Sequence, residues 1–385
     1  MMGFEYASPN RIFFGEGMFS KAGAISSEFG KRALIVTGSG SVSLDGLLIN
    51  LQAVDVSGFI FRVENEPDIP MILAGIEHAK ANQCDFIIGF GGGSVLDTAK
   101  AIAAMLTNPG ELMDYLEVVG EGREIPYPAA PMLAIPTTAG PGTEVTRNAV
   151  ILSPEHQVKV SMRSYKMIPP VAIIDPALTH TMPPEVTAST GMDALTQVIE
   201  GYVSKRANPM TDVVCREGIL RGARSLIRAY ENGNDKTARE DMCYTSLFGG
   251  LAVANGGLGA VHGFAGPIGG MFKIPHGVIC ASLLPFVMKY NVKISDNSQE
   301  NGQMQSRYRD IARWVTGNSQ ATIDDGVASI KQLALELDIP GLSALGIDRN
   351  DFDLIVEKSK ASSSMQKNLI DLDEATLLKI LSEAY

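Results

Sequence analysis

Short continuous apolar runs alternate with helical periodicity through the first half of the chain. Ala33-Leu34-Ile35-Val36-Thr37 reads as a buried strand and Gly58-Phe59-Ile60-Phe61 as a second. Residues 69–82 put Ile72, Ile76 and Ala79 on one face, which predicts a helix. Asp85-Phe86-Ile87-Ile88-Gly89-Phe90 predicts another strand, followed by Gly91-Gly92-Gly93-Ser94 and a helix from Val95 to Leu106. Met132-Leu133-Ala134-Ile135 predicts a strand leading into Pro136-Thr137-Thr138-Ala139-Gly140. The runs 147–152 and 157–161 flank Ser153-Pro154-Glu155-His156 and predict a hairpin. Val171-Ala172-Ile173-Ile174-Asp175 is the last strand expected. Uninterrupted apolar strands alternating with helices indicate a parallel sheet covered on both faces.

Beyond Asp175-Pro176 the pattern changes. From about Pro183 the periodicity is helical, over residues 184–204, 208–230, 236–257, 304–314 and 322–337. Glycines 256, 257 and 259 interrupt it just before His262, and the polar stretch 294–306 reads as a surface loop or helix start. The expected architecture is an N-terminal α/β domain with a parallel sheet, residues 1–178, and an all-α C-terminal domain, residues 179–385. A chain of 385 residues, 45% hydrophobic and 19% charged, has the material for two cores and excludes wholesale disorder.

The net charge of −11 argues against nucleic acid as a partner and weakly against anionic lipid; its ordinary meaning is solubility. No uninterrupted apolar stretch approaches the roughly 18 residues of a membrane span. The opening Met1-Met2-Gly3-Phe4-Glu5-Tyr6 lacks the pattern of a signal peptide. Cys84, Cys215, Cys243 and Cys280 are scattered and read as small core residues rather than a disulfide framework. The expected location is therefore the cytoplasm, with no membrane partner.

The candidate chemistry lies in the glycine clusters. Gly91-Gly92-Gly93-Ser94 separates a buried strand from a helix, where glycine lets backbone N–H groups approach a phosphate and the helix dipole favours an anion. Ser94 is placed to cap that helix. A ligand-free strand-to-helix turn is the other reading. The spacing is neither Gly-x-Gly-x-x-Gly nor a Walker loop. Pro136-Thr137-Thr138-Ala139-Gly140-Pro141-Gly142-Thr143-Glu144 offers two hydroxyls after another buried strand, and Gly38-Ser39-Gly40-Ser41 follows the first. Ligands of open α/β sheets bind outside the carboxyl ends of strands.

Gly91-Gly92-Gly93-Ser94-x-x-Asp97-x-Ala99-Lys100, Pro136-Thr137-Thr138-Ala139-Gly140 and Ile274-Pro275-His276-Gly277 occur in that order, behind the opening Pro9-Asn10-Arg11-Ile12-Phe13-Phe14-Gly15-Glu16-Gly17. In this combination the chain resembles the iron-containing (group III) alcohol dehydrogenases over essentially its whole length. The resemblance implies a dinucleotide-binding first domain and an oxidoreductase that interconverts a small alcohol and its aldehyde or ketone by hydride transfer. Carried over by position, Gly92, Gly93 and Ser94, with Asp97 of the same motif, serve the cofactor's pyrophosphate region. Thr137 and Thr138 contact phosphate and the nicotinamide side, and Lys159 the nicotinamide ribose. Asn148 and Leu258 line the substrate pocket.

The resemblance also implies a metal site of one Asp and three His. Asp193, His262 and His276 match, both as ligands and as catalytic positions, but position 197 is Gln197 rather than an imidazole. A further histidine common in such chains would fall at 266, where Gly266-Pro267 stands. A neutral amide is a poorer donor to Fe²⁺ or Zn²⁺ than imidazole or carboxylate. Two readings stay open: a weak or altered metal set of Asp193, Gln197, His262 and His276, or metal-free transfer with His262 or His276 serving the substrate oxygen, as maleylacetate reductases are understood to work. A dehydroquinate synthase-like activity fits less well, because that site is richer in Lys and Arg. A nucleotide-binding protein without turnover is the alternative from another class. The choice between NAD and NADP also stays open. Many NAD-using members carry an acidic residue where this chain has Gly38 followed by Ser39, and no Arg or Lys is adjacent to clamp a 2′-phosphate. Self-association into a homo-oligomer is likewise open.

Overall fold

Six strands pair in parallel in the computed structural model, which describes residues 3–40, 42–156, 158–295 and 301–385. Met1 and Met2, Ser41 of the first glycine loop, Gln157 of the expected hairpin and 296–300 of the polar stretch lie outside the described residues. The strands are β1 (Arg11–Phe14), β2 (Arg32–Gly38), β3 (Ser57–Val63), β4 (Phe86–Gly91), β5 (Met132–Pro136) and, after the β6 (Asn148–Ser153) and β7 (Val158–Arg163) antiparallel hairpin, β8 (Val171–Ile174). Their order across the sheet is β1-β8-β5-β4-β2-β3. Helices α1 (Ala22–Phe29), α2 (Asp45–Gln52), α3 (Ile69–Ala81), α4 (Gly93–Thr107) and α5 (Leu112–Tyr115) complete this part. Alternation along each strand divides the apolar side chains between two cores. Leu34, Val36 and Ile87 pack with Ile72, Ile76 and Ile102, while Ala33, Ile35 and Ile88 pack with Ile25, Leu47 and Leu51. The sheet is thus covered on both faces, as its apolar strands require.

The remaining helices are α6 (Pro184–Tyr202), α7 (Pro209–Glu231), α8 (Lys236–Asn255), α9 (Ala260–Phe272), α10 (His276–Ser295), α11 (Asn301–Thr316), α12 (Ile323–Glu336), α13 (Phe352–Lys360) and α14 (Glu374–Ala384). The chain resolves into two compact units, one running Ala7–Met182 and the other comprising Pro183–Tyr385 with the segment before Ala7. Within the helical unit α6 is central and packs on α7, α8 and α10. Every residue from Gly191 to Tyr202 is buried, including Asp193, Gln197 and Glu200. Three polar side chains within about two turns of a core helix need partners, since an unpaired buried polar group costs several kcal/mol, roughly 2–7.

The sequence pattern passes over several elements. β1 is a four-residue edge strand, too short to show alternation, and α1 and α2 span only eight residues each. α9 and α10 are apolar on most sides, so they lack the polar face that makes a 3.6-residue period visible. α10 also holds a window, His276–Ile294, long and apolar enough to cross a membrane. That window is two-thirds buried inside the helical unit and contains Pro285, the character of a core helix.

Candidate active site

In the α/β unit, β2, β4 and β5 are neighbours with level carboxyl ends: Thr37 lies opposite Phe90, and Gly91 opposite Pro136. The loops beginning at Gly38, Gly91 and Pro136 therefore leave the sheet side by side. The chain order also reverses here, because β3 lies on one side of β2 and β4 on the other. Such a switch point is where open α/β sheets bind ligands. The Thr137 N–H donates to the Gly91 carbonyl at 3.0 Å and ties two of the loops together. α4 begins at Gly93, two residues earlier than its periodicity indicates, and its N-cap is Gly92 rather than Ser94. No side chain caps it, so its first-turn amides are left for another acceptor. The Ser94 carbonyl takes a 2.8 Å bond from Thr98 Oγ1. Thr137, Thr138 and Gly38 are half-buried and Ser39 is exposed.

Two expected cofactor residues have partners within the unit. Lys159 Nζ pairs with Glu66 at 2.5 Å. Asp97 accepts from the Val150 N–H at 3.1 Å and faces Lys100 Nζ at 3.3 Å. Lys100, wholly buried, also donates to Thr146 Oγ1 at 2.7 Å and to the Asn148 carbonyl. Burial pushes the Asp97 carboxyl up and the Lys100 ammonium down, each opposed by attraction to the other. This network fastens α4, and so the amides of its first turn, to the β6–β7 hairpin. Lys100 was legible only as part of the resemblance motif, with no sign of its partners.

In the helical unit, donor atoms of Asp193, His262, His276 and Cys280 all lie within 4.8 Å of one another. Three elements deliver them: α6 carries Asp193, α9 carries His262, and α10 carries His276 and Cys280 one turn apart. α10 reaches α6 because position 277 has no side chain. A Cβ there would lie 2.1 Å from the Ser189 carbonyl oxygen and 3.3 Å from Asp193 Cβ. Gly277→Ala is therefore expected to force the helices apart, at about 1–3 kcal/mol of stability. A thermal melt that matches the parent would show the approach is not required.

His262 is held from both sides. Its Nδ1 lies 2.6 Å from Glu200 Oε2 and its Nε2 lies 3.2 Å from Asp193 Oδ1. The Glu200 carboxylate also accepts from the N–H groups of Val261 at 2.6 Å and His262 at 3.3 Å, serving the first turn of α9, which has no side-chain cap of its own. Glycine at 259 permits this, since a Cβ would stand 2.8 Å from Glu200 Oε1. Burial opposes charge on His262, but Cys280, Asp193 and Glu200 together raise its pKa well above the ordinary 6.5. Burial likewise works against the Asp193 anion, yet the His262 bond and the two imidazoles hold its pKa low. The Cys280 thiol, buried, is pushed up to about 12.

This geometry tests whether a cation suits the cluster. With the Nδ1 proton directed at Glu200, the Nε2 lone pair faces a carboxylate oxygen, and two acceptors at 3.2 Å need a proton or a cation between them. One carboxylate, two imidazoles and a thiol are donors that hold Zn²⁺ or Fe²⁺ well. The residues fit a divalent metal. Gln197, one turn from Asp193 on α6, has its Oε1 buried without a hydrogen-bond partner, 2.7 Å from where a Cβ of Gly249 would stand. Leu258 is buried in the turn between α8 and α9. Sequence reasoning missed Glu200 and Cys280. Their only signal was spacing: Glu200 is seven residues from Asp193, and Cys280 four from His276.

Residues 9–176 match the family described as iron-containing alcohol dehydrogenase, and residues 187–385 match the C-terminal part of the Fe-containing alcohol dehydrogenase family. The chain belongs to the iron-containing alcohol dehydrogenase family. It is 35% identical over 383 residues to alcohol dehydrogenase 4 of Saccharomyces cerevisiae, covering 98% of this chain and 97% of that protein. It is 34% identical to 1,3-propanediol dehydrogenase of Klebsiella pneumoniae, covering 99% of each. A crystal structure of 1,3-propanediol oxidoreductase superposes with a TM-score of 0.93 at 34% identity over the full length of both chains. As a member of the iron-containing alcohol dehydrogenase family, this protein is an NAD(P)-dependent oxidoreductase acting on alcohols and the corresponding carbonyl compounds. The six-stranded parallel sheet and the helical second unit are the fold of that family.

Proposed function

We propose that this enzyme oxidises a small alcohol at a divalent metal held by Asp193, His262 and His276, with the dinucleotide seated on the three adjacent loops of the α/β unit. The observation that supports it most is the His262 imidazole placed between two buried carboxylates, an arrangement that a cation at Nε2 completes. In the reaction the carbinol carbon loses its hydrogen as a hydride to nicotinamide C4, and the hydroxyl proton leaves to solvent. A bound divalent ion supplies Lewis-acid polarisation of the substrate oxygen. Glu200 keeps the Nδ1 proton and the orientation of His262. The uncapped amides of Gly93 and Ser94, with Gly92, hold the pyrophosphate. Thr137 and Thr138 complete that cradle, and Lys159 reaches the ribose once its pair with Glu66 yields. Asp97 acts on the loop through Val150 and Lys100 rather than on the cofactor. Asn148 and Leu258 are the positions proposed to line the alcohol.

The test is initial-rate measurement with a panel of small aldehydes and NADH or NADPH, before and after exhaustive chelation. Activity lost to chelator and restored by one divalent ion is expected. Activity that persists with no metal retained would assign the oxygen to the imidazoles alone and overturn the metal reading.

Cofactor choice is testable at Gly38. A Cβ there would lie 3.4 Å from Val95 Cγ2, 3.6 Å from the Val63 carbonyl oxygen and 3.9 Å from the Gly40 nitrogen, all ordinary contacts, so Gly38→Asp fits without repacking. A carboxylate at the end of β2 is expected to repel a 2′-phosphate and raise the NADH to NADPH ratio of kcat/KM by about tenfold or more, or roughly 1.4 kcal/mol. An unchanged ratio would place the ribose elsewhere.

A further inference from the structure

We propose that Cys280 is a ligand of the metal, so that this chain completes its site with a thiolate where the resemblance expects a third imidazole. The inference rests on the metal reading above and deepens it. Cys280 is fully buried, but its company is polar: Sγ lies 3.8 Å from His262 Nε2, and it belongs with Asp193 and His276 to one set of converging donors. A cysteine serving only as core filler would face apolar neighbours. Its position on α10, one turn after His276, gives that helix two donors on one face, and Gly277 between them holds that face against α6.

The competing fourth donor is Gln197. Its amide is neutral and a weak ligand, and its Oε1 leans on the backbone of α8 at Gly249. Thiolate binds zinc-like cations strongly, and ion binding deprotonates the thiol outright. On binding, the Sγ–H bond breaks, the proton passes to solvent and the sulfur lone pair forms the bond to the metal, with no change of oxidation state. Asp193 and the Cys280 thiolate together balance the two charges of the ion. A softer donor set also moves the preference from Fe²⁺ towards Zn²⁺.

The experiment uses Co²⁺ as an optical probe in the full-length protein stripped of metal. The parent is expected to bind one Co²⁺ per chain and to show a thiolate-to-cobalt charge-transfer band in the near ultraviolet. Cys280→Ser is expected to lose the band and to bind Co²⁺ more weakly, on the order of 100-fold, no less than the loss of an outer-shell partner costs. Gln197→Ala should keep both. The parent spectrum needs no variant, so a misfolded Cys280→Ser leaves the test intact. Cys280→Ala, checked by circular dichroism, gives a second reading. Co²⁺ bound without the band overturns the thiolate ligand while leaving the metal site standing. A band that survives in Cys280→Ser, or is lost in Gln197→Ala, overturns the assignment too. No Co²⁺ binding at all overturns the metal site together with this inference.

Discussion

Glu200→Gln is expected to lower kcat/KM by roughly 10–100-fold in a chain that still folds, the range found when the outer partner of a metal-binding histidine is removed. The carboxylate accepts three N–H groups: those of Val261 and His262 on the first turn of α9, and Nδ1 of His262. An amide of the same shape keeps one acceptor and turns a second donor towards these N–H groups, so at least one bond is lost. Stability is expected to fall by about 1–3 kcal/mol, the usual penalty for an unsatisfied buried group. The negative charge at the α9 N-terminus is lost as well. The consequence for chemistry is at the far side of the ring: without Glu200 to hold the Nδ1 proton, Nε2 is no longer kept as a lone pair towards Asp193. Affinity for Co²⁺ should therefore fall by a similar factor, while dinucleotide affinity stays at the parent value. A variant that loses stability but keeps its Co²⁺ affinity would reduce Glu200 to a helix cap.

Gly92→Val is expected to weaken dinucleotide binding on the order of 100-fold, which corresponds to losing two charge-assisted hydrogen bonds of about 1.5–3 kcal/mol each, partly compensated by water. Gly92 has φ −78°, a value any residue adopts, so the backbone itself is not strained by the change. The obstacle is Thr138. A Cβ at position 92 would stand 3.2 Å from both Thr138 Cγ2 and Oγ1, and the branched methyls of valine add to that contact. The side chain thus wedges apart two loops that Thr137 and Gly91 tie together, and it covers the amides that open α4. Gly92→Ala should lie between parent and valine. Titration of intrinsic or nicotinamide fluorescence with NADH and NADPH gives the affinities, and a melting curve shows that the fold survives. Full affinity in a folded valine variant would remove this loop from the cofactor site.

The strands and the glycine loops were readable from local pattern. Ala33 to Thr37, Phe86 to Phe90 and Met132 to Ile135 are unbroken apolar runs because both faces of their sheet are covered. The run Gly91-Gly92-Gly93 after such a strand was visible as a pattern, although what excludes a side chain there includes Thr138 and Pro141 of the neighbouring loop. The long amphipathic helices α7, α11 and α12 were readable in the same way, each showing one polar face along its length. Asp193, His262 and His276 were picked out only by the resemblance to the iron-containing alcohol dehydrogenases, whose metal-site positions they match.

Tertiary structure decided the rest, and the reason is that a polar side chain takes its meaning from what packs against it. Cys280 reads as core until α10 is laid against α6 and α9, when its sulfur turns out to face His262. Glu200 looks like a solvent-facing residue of an ordinary helix until the α9 N-terminus is brought to it from 61 residues away. Asp97 sits in a motif associated with cofactor binding, yet it accepts from the Val150 N–H of the β6–β7 hairpin. The cap of α4 is Gly92 rather than the expected Ser94, and no side chain takes the capping role. Sequence by itself determined which residues could do chemistry. Contacts made across long stretches of chain, which no local pattern encodes, determined which of them meet.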